Sequence, residues 1–304
     1  MKVLEIKGLT KRYGEFEAVK NISFDVEAGS MLGFLGVNGA GKSTTINMLS
    51  TILTPSGGEV EICGHRLGKD DMDIRRAIGV VYQSNVLDDI LTVKENLYLR
   101  SGIKELTKEE IRARLKELDD LLHISPIMNK RYALLSGGQK RRCEIALALM
   151  NSPKILFLDE PTTGLDPATR ADVWEAVKRL RRSEEMTVFL TTHYMEEAAS
   201  ADKIIVIDKG EILAEGTPFA LKEKYAKDKL KLYFSQEKYD EIAEKLKGTE
   251  TKKTKYGAKC LLTDSLEAIE KINRVRDMID GFEVIQGNMD DVFLNVTGQG
   301  KETV

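Results

Sequence analysis

The sequence predicts an α/β protein with a parallel β-sheet core, followed by a small α+β region. Apolar runs short enough to be buried strands alternate with segments whose apolar residues recur at helical spacing, which is typical of a parallel sheet covered by helices. A glycine-rich loop at residues 36–44 also lies between a predicted strand and a predicted helix. After about residue 225 the composition changes and a second series of elements begins.

The N-terminal third predicts strands first and then the helix that follows the glycine loop. Residues 3–6 and 22–26 have strand character, and residues 11–14 are rich in turn formers. Residues 30–35 predict a buried strand, and residues 45–53 predict a helix with one apolar side. Further strands are expected at residues 59–63 and 78–82.

The middle of the chain predicts a helical region, which then returns to strand–helix alternation. Residues 92 to about 122 are expected to be helical, with a T-x-x-E capping box at Thr107. Pro126 interrupts this pattern, and another helix opens at residues 135–139 and runs through Met150. The remaining predicted elements are a strand at 155–158, a helix from Pro167, a strand at 188–192 and a hairpin over 204–214.

The C-terminal eighty residues have their own pattern. Residues 225–231 are rich in lysine, and beyond them we expect strands at 230–234, 258–262 and 282–285 with helices at 239–246, 266–279 and 289–296. We place the domain boundary between 1–225 and 226–304. The sequence leaves open whether the second region folds independently or extends the first.

Composition limits the classes of function. With 304 residues, of which 42% are hydrophobic and 31% charged, the chain is long and apolar enough for a globular core. No apolar run could span a bilayer and no signal peptide is visible, so we expect a cytoplasmic protein. A net charge of −3 without a basic block argues against a nucleic-acid partner.

The glycine-rich loop follows the pattern G-x-x-x-x-G-K-[ST] of a phosphate-binding loop. Glycines let backbone N–H groups approach a polyphosphate, and the helix N-terminus adds partial positive charge. Lys42 can reach the β- and γ-phosphates, and the Ser43 hydroxyl can ligate Mg²⁺. The alternative is a turn that happens to carry a lysine. The candidate nucleotide-binding residues are Gly36, Asn38, Gly39, Gly41, Lys42, Ser43 and Thr44.

Two consecutive acids follow the buried strand at residues 155–158. Asp159 can hold Mg²⁺, directly or through water, opposite Ser43. Side chains alternate along a strand, so Glu160 points elsewhere and can orient or deprotonate an attacking water. A solvated acidic pair before a turn is the alternative.

A second anion site is predicted at the start of the helix that runs through Met150. Ser136 and Gln139 form a capping box, but capping alone does not explain two adjacent glycines. Gly137 and Gly138 at a helix start expose N–H groups to an anion.

With these motifs, the chain resembles the nucleotide-binding subunit of ATP-binding-cassette (ABC) transporters over about residues 1–220. Residues 135–139 read LSGGQ, the signature of that family, which is far more specific than the phosphate loop alone. The resemblance implies a P-loop NTPase cassette in which an antiparallel β subdomain and a helical subdomain, at about residues 90–150, join the parallel-sheet core. It also implies ATP and Mg²⁺ as cofactors, a second cassette as partner in a homodimer, and an integral-membrane permease.

The resemblance assigns further roles. Tyr13 would stack on adenine, and Gln83 would link Mg²⁺ and the water to the permease. Glu160 would be the catalytic base, and His193 would hold the γ-phosphate and the water. Asp166 would face the second subunit, and the signature residues 136–139 would contact the γ-phosphate held by that subunit.

Each of these roles has a structural alternative. Tyr13 could pack on the core, and Gln83 could be a polar group at a strand end. His193 could be a satisfied histidine at a strand terminus, and Asp166 could only cap the helix that begins at Pro167. Their order and spacing around the three motifs favour the functional roles.

The function predicted is an ATPase that energises a permease on the cytoplasmic face of the cell membrane. The loop at residues 84–91 and the helices to Leu122 are the expected docking site. Residues 289–298 resemble the closing segment of daunorubicin-resistance-like drug exporters, which favours export. The alternatives are a non-transport ABC ATPase and a regulatory ATP-dependent binding module with a ligand-sensing tail.

Overall fold

The computed structural model describes residues 1–103, 106–184 and 186–298, and the chain forms two compact units, Met1–Leu213 and Ala214–Val304. None of the described helices is long and apolar enough to cross a bilayer. The strands are β1 (Lys2–Tyr13), β2 (Phe16–Glu27), β3 (Met31–Leu35), β4 (Gly57–Ile62), β5 (His65–Arg66), β6 (Ile78–Val81), β7 (Ile155–Asp159), β8 (Thr187–Thr192), β9 (Lys203–Asp208), β10 (Glu211–Gly216), β11 (Asp228–Tyr233), β12 (Thr251–Thr254), β13 (Gly257–Leu262) and β14 (Gly281–Ile285). The helices are α1 (Lys42–Leu49), α2 (Asp71–Ala77), α3 (Val93–Ile103), α4 (Lys108–Leu122), α5 (Gly137–Leu149), α6 (Pro167–Glu184), α7 (Met195–Ala198), α8 (Pro218–Tyr225), α9 (Tyr239–Lys245), α10 (Glu267–Val275) and α11 (Met289–Val296).

The first unit contains two β-sheets, one of which is the predicted parallel core. One is antiparallel, with the strand order β2-β1-β4-β5. The other has the order β10-β9-β3-β8-β7-β6, and its strands from β9 to β6 pair in parallel. Apolar side chains from both sheets and from α1 form one continuous buried cluster. The α/β fold class predicted from the sequence is therefore confirmed.

The order of the parallel sheet places the motifs at one edge. β8 lies between β3 and β7, so the carboxyl ends of these three strands are adjacent. The phosphate loop follows β3, the two acids come at the end of β7, and His193 follows β8 directly. All residues of these three strands are buried, so packing holds the positions at which the phosphate loop, the two acids and His193 leave the sheet.

Three predicted boundaries were wrong. Residues 11–14 were expected to form a turn, but β1 continues through Tyr13 because it pairs with β2 to that point. Helix α1 begins at Lys42 rather than residue 45, and it ends at Leu49 because Thr51 adopts a φ of +64° that a helix cannot continue through.

The helical region predicted over residues 92–122 is two helices, α3 and α4. The capping box at Thr107 is present: the Thr107 hydroxyl accepts from Glu110 N–H, and the Glu110 carboxylate accepts from Thr107 N–H. A capping box starts a new helix, so the same motif that predicted helical structure also marks the break.

The second unit has a four-stranded antiparallel sheet of order β12-β13-β11-β14. One face of this sheet packs with α9 and α10 in a separate buried cluster. Helices α8 and α11 pack together, and the Asn295 amide donates to the Tyr225 carbonyl at 2.7 Å. Helix α10 ends at Val275, before the predicted residue 279. The sequence did not reveal α8 or β12.

Candidate functional site

The phosphate loop turns sharply at Gly41, where φ is +107°. A Cβ built on Gly41 would lie 2.6 Å from the carbonyl oxygen of Ala18, so both backbone angle and space demand glycine. Asn38 and Gly39 form an exposed turn at the tip of the loop, and Thr44 lies in the first turn of α1.

Lys42 lies folded back inside this loop. Its Nζ donates to the carbonyls of Gly36 at 2.9 Å and Val37 at 3.2 Å. The same Nζ lies 3.1 Å from Glu160 Oε1, in an ion pair whose side chains are only 4% and 6% exposed. Burial strengthens such a pair and makes either partner costly to remove alone. Lys42 and Glu160 therefore hold each other in this structure.

Asp159 immediately precedes Glu160, the partner of Lys42, and its carboxylate accepts hydrogen bonds from two hydroxyls. Its Oδ1 accepts from Ser43 Oγ at 3.2 Å and from Thr191 Oγ1 at 2.6 Å. Carboxylate and hydroxyl oxygens are the donors that Mg²⁺ uses when substrate phosphates and waters complete its shell. In the described ranges, no group of three or more Asp, Glu, His or Cys side chains is arranged to hold a metal ion by itself. Ser43 and Asp159 fit a magnesium ion shared with phosphates.

Three polar side chains surround the second carboxyl oxygen of Glu160. Oε2 accepts from Thr163 Oγ1 at 3.1 Å and Gln83 Nε2 at 3.3 Å, and it lies 3.2 Å from His193 Nδ1. Glu160 itself adopts a φ of +45°, a strained value for a non-glycine residue. Thus Gln83, Glu160 and His193, from three separate segments, meet at one carboxylate.

Burial acts to raise the pKa of the Glu160 carboxyl, but its partners outweigh burial. The Lys42 hydrogen bond and charge come first, followed by Thr163 and His193, and together they hold this pKa below its ordinary value. Glu160 is therefore a carboxylate at neutral pH, the form in which it can accept a proton or orient water.

Arg141 fixes the turn that carries Glu160, and sequence reasoning missed it. Its guanidinium is buried and donates to three carbonyls, those of Tyr82 at 2.6 Å, Glu160 at 3.0 Å and Pro161 at 2.5 Å. Because Arg141 lies on α5, it ties the signature helix to both the Gln83 segment and the acidic turn. No local motif marks Arg141 in the sequence, because its partners are backbone carbonyls of distant segments.

Glu144, also on α5, is a second residue that sequence reasoning missed. Its Oε1 accepts from the backbone N–H groups of Val86 at 2.9 Å and Leu87 at 3.2 Å and from Tyr132 Oη at 2.8 Å. Glu144 and Tyr132 are 2% and 0% exposed. This buried carboxylate holds the loop that follows Gln83 against the helix.

The signature segment begins α5. The Ser136 hydroxyl accepts from Gln139 N–H at 3.3 Å, and the Gln139 side chain accepts from Ser136 N–H at 3.1 Å, so the capping box is present. Ser136 and Gly137 are exposed. Within the described part of the chain, no hydrogen bond or ion pair joins residues 136–139 to the phosphate loop.

Gly138 has a steric reason to be glycine that the sequence did not show. A Cβ at this position would overlap Cγ2 of Thr169 on the neighbouring helix α6. Close packing of α5 on α6 accounts for Gly138, while Gly137 stays at the exposed helix start.

The two remaining candidates, Asp166 and Tyr13, lie at the surface. Asp166 accepts from the backbone N–H groups of Ala168 and Thr169, both at 3.1 Å, and from the Thr169 hydroxyl at 2.5 Å, so it caps α6. The ring of Tyr13 is 50% exposed beneath Lys11 Nζ at 5.2 Å rather than packed in the core. Tyr13 is thus free to stack on a planar ligand.

Comparison with known proteins agrees with this geometry. The family model described as ABC transporter matches residues 19–163. The daunorubicin/doxorubicin resistance ATP-binding protein DrrA of Streptomyces peucetius is 36% identical, covering 98% of this chain and 93% of that protein. The Nod factor export ATP-binding protein I of Ralstonia nicotianae is 40% identical, covering 72% of this chain and 68% of that protein.

Solved structures agree with these relatives. The ATP-binding cassette MJ0796, a dimer in a post-hydrolysis state bound to ADP and Pi, superposes with a TM-score of 0.64 at 32% identity, covering 70% of this chain and 98% of the cassette. CbiO1 of Clostridium perfringens, part of the transporter complex cbiONQ, gives a TM-score of 0.67 at 29% identity over 72% of this chain and 90% of its own. This chain belongs to the ABC transporter family, as an ATP-binding subunit that hydrolyses ATP.

Proposed function

We propose that two copies of this chain close around two ATP molecules and drive a membrane exporter. The observation that carries the proposal is that no described hydrogen bond or ion pair joins the two candidate phosphate-binding elements of one chain, the phosphate loop and the signature helix start. Lys42, Ser43 and Glu160 converge at one edge of the sheet, whereas among the residues that the structure describes the exposed helix start at Ser136 makes no hydrogen bond or ion pair to them. A helix start with accessible N–H groups suits the γ-phosphate held by another copy.

Within each site, ATP binding would first separate Lys42 from Glu160. The ammonium would turn to the β- and γ-phosphates, whose charge replaces that of the carboxylate. Glu160 would then be free to orient and deprotonate the attacking water, while His193 and Gln83, already at its Oε2, would hold the water and the γ-phosphate. Tyr13 would stack on adenine, and Asp166 would face the other copy.

Ser43 and Asp159 would hold Mg²⁺, with Gln83 reaching it when the nucleotide is bound. The ion would supply charge neutralisation at the β- and γ-phosphate oxygens. Thr191 would keep the Asp159 carboxylate oriented, because its hydroxyl already donates to Oδ1.

For the permease, a groove beside the Gln83 segment has the composition of a helix-docking site. The exposed apolar side chains of Ile52 and Met72 flank it, Tyr82 and Val86 line it, and Arg75 lies at its edge. We propose that a short amphipathic helix with an acidic residue, from the cytoplasmic side of the permease, binds here. The groove adjoins residues 84–91, so a permease in it would contact the loop that Glu144 holds.

We further propose residues 1–225 as the cassette, with its helical subdomain at about 90–150, and residues 226–304 as an accessory domain. The chain would lie on the cytoplasmic face of the cell membrane, held by the permease. Export is supported by the near full-length similarity to a drug-resistance protein, which includes the C-terminal region.

The test is ATP-dependent dimerisation of the Glu160→Gln variant. Glutamine keeps the size of the side chain but cannot act as base, so ATP should remain bound and the pair of cassettes should stay closed. Size-exclusion chromatography with light scattering should show a dimer with ATP and Mg²⁺ and a monomer without ATP.

The control adds Ser136→Arg, which blocks the signature helix start without touching the phosphate loop. This double variant should bind ATP and remain monomeric. A Glu160→Gln protein that binds ATP tightly yet stays monomeric at high concentration would contradict the two-copy site.

A further inference from the structure

The lysine-rich stretch at residues 225–231 and the closing helix α11 line the same cavity of the second unit. This cavity measures about 660 Å³. Its floor is the sheet, through residues such as Lys229 and Lys259, and its walls include the end of α8 and Leu294 of α11. The lysine-rich segment and α11, whose sequence resembles that of drug exporters, therefore meet at this cavity.

The two faces of this sheet differ completely in character. Leu230, Leu232 and Cys260 point to the face that α9 and α10 cover, and all are buried. On the other face Lys259 of β13 is directly opposite Lys231 of β11 and Lys252 of β12. Three lysines thus stand side by side across neighbouring strands, an arrangement of like charges that destabilises a sheet.

Acidic side chains neutralise only part of this charge. Lys229 pairs with Asp291 of α11, and Lys231 pairs with Glu283 at 3.0 Å. Among the residues with described positions, neither Lys227 nor Lys259 forms an ion pair. Burial, and then the charge of Lys229, lowers the pKa of the Lys259 ammonium. The repulsion between these ammonium groups destabilises the sheet, and a bound anion would reduce that repulsion.

The rest of the cavity wall is mixed. Leu261 and Leu294 provide apolar contact area, and Tyr225 adds an aromatic ring. Three carboxylates also line the cavity: Asp291 is paired with Lys229, and Glu223 and Glu250 are exposed whereas Lys259 is partly buried. Glu223 and Glu250 lie at the rim, Asp291 is held by Lys229, and the Lys259 ammonium lies deeper than the rim, so an anion can enter between the two rim carboxylates.

We propose that this cavity binds a phosphate monoester group, with Lys227 and Lys259 as its cationic ligands and with Leu261 and Leu294 contacting the apolar part of the molecule. A phosphate monoester carries close to two negative charges at neutral pH, and Lys227 and Lys259 can each bring one positive charge to it. Lysine serves as a point charge for phosphate and needs no bidentate geometry. The phosphate can belong to a small soluble molecule or to a lipid headgroup.

The experiment uses the full chain carrying Lys42→Ala, so that the phosphate loop does not contribute. Isothermal titration with inorganic phosphate and with glycerol 3-phosphate probes the soluble source. Co-sedimentation with phosphatidic acid vesicles, against phosphatidylcholine vesicles, probes the lipid source. Lys227→Gln and Lys259→Gln are compared with Lys247→Gln, an exposed lysine of the same unit outside the cavity.

Each cavity variant should weaken binding about tenfold or more, since a charged hydrogen bond is lost, while Lys247→Gln should bind like the parent. Lys227 is exposed in the short segment between α8 and β11, so its variant should keep the parent's melting temperature and report binding alone. Binding to soluble phosphates identifies a small-molecule site, and binding to phosphatidic acid vesicles alone identifies a headgroup site. No binding to either, or equal binding by all three lysine variants, overturns the proposal.

Discussion

The buried ion pair joins Lys42, the proposed phosphate ligand, to Glu160, the proposed base, so the two proposed roles require the pair to separate. We expect Glu160→Gln to lower ATP turnover at least about 100-fold, because the proposed general base is lost. The same change should tighten ATP binding, because Lys42 no longer has to leave a buried carboxylate. Steady-state ATPase assays and equilibrium binding of a fluorescent ATP analogue measure the two effects.

Glu175→Gln is the matched control for this prediction. Glu175 lies on α6 in an exposed pair with Arg179 and should leave both quantities near the wild-type values. An unchanged or weaker ATP affinity in Glu160→Gln would mean that the Lys42–Glu160 pair does not oppose nucleotide binding.

The lowered pKa of Glu160 also predicts how stability depends on pH. Lys42 helps to depress the folded-state pKa below its ordinary 4.5, so the pair's stabilisation is full above about pH 4.5 and disappears as pH falls through the folded-state pKa. The melting temperature of Lys42→Met should therefore be well below that of wild type at pH 7. The difference should begin to shrink as the pH falls below 4.5 and should vanish below the folded-state pKa of wild type, where Glu160 is protonated in both proteins. A constant difference from pH 7 to pH 3 would exclude this pair as its source.

The site residues that could be predicted from the sequence are those that lie within local motifs. Lys42, Ser43, Asp159 and Glu160 belong to short patterns whose chemistry is visible in the chain. Arg141 has no such pattern, because its partners are backbone carbonyls from two distant segments. Pairing that depends on tertiary structure could not be deduced from one sequence.

Among the helices, α5 connects the signature to the segment after Gln83 through one buried carboxylate. Glu144→Ala would leave three buried donors without a partner, those of Val86, Leu87 and Tyr132. We expect a loss of about 3 kcal/mol or more in the free energy of unfolding, measured by urea denaturation. Tyr132→Phe removes one donor and should cost about 1 kcal/mol.

Glu117→Ala is the control, since its pair with Arg114 is exposed on the glutamate side and should change stability little. Glu144→Ala should also reduce ATPase activity, because the loop that begins beside Gln83 loses its anchor. Full stability in Glu144→Ala would show that water replaces the carboxylate without cost.

Gly138 can be required for either of two reasons: the close packing of α5 on α6, or the approach of its backbone to a phosphate. Gly138→Ala should lower both stability and ATPase activity, because the new methyl group overlaps Thr169. If the defect is steric, Thr169→Ala should restore most of the loss in the double variant, although it removes one hydrogen bond to Asp166. If the backbone must instead approach a phosphate at this position, the double variant should regain stability but stay inactive.

The elements that the sequence revealed are those with a strong period or a cap. The parallel strands are apolar throughout because both faces are buried, and α4 has a complete capping box. Helix α7 has only four residues, and the four residues of β12 are mostly exposed, so no hydrophobic pattern marks them. Short elements that are stabilised by contacts with distant parts of the chain have no hydrophobic period or cap by which the sequence could predict them.

At the scale of the whole molecule, the two units have separate buried cores. The core cluster of the first unit draws on residues up to Ile207, with Ile212 packed against it, and that of the second begins at Leu230. The change in composition near residue 225 revealed that a second region exists. Its lysine-bearing cavity could not be predicted, because cross-strand neighbours such as Lys231 and Lys259 are 28 positions apart in the chain.

Separate cores predict that the first unit folds alone. A chain ending at Gly216 keeps all of β10 and should unfold cooperatively, bind ATP and hydrolyse it, since every residue proposed for the ATP site precedes it. A chain ending at Tyr225 adds α8 without α11, the helix that packs against it, and so exposes the surface of α8 that this contact covers. The longer truncation should therefore be less soluble than the shorter one, as measured by sedimentation and thermal denaturation. If the chain ending at Gly216 instead fails to fold, the first unit depends on the second, and the ATPase would need its C-terminal region for stability as well as for any ligand.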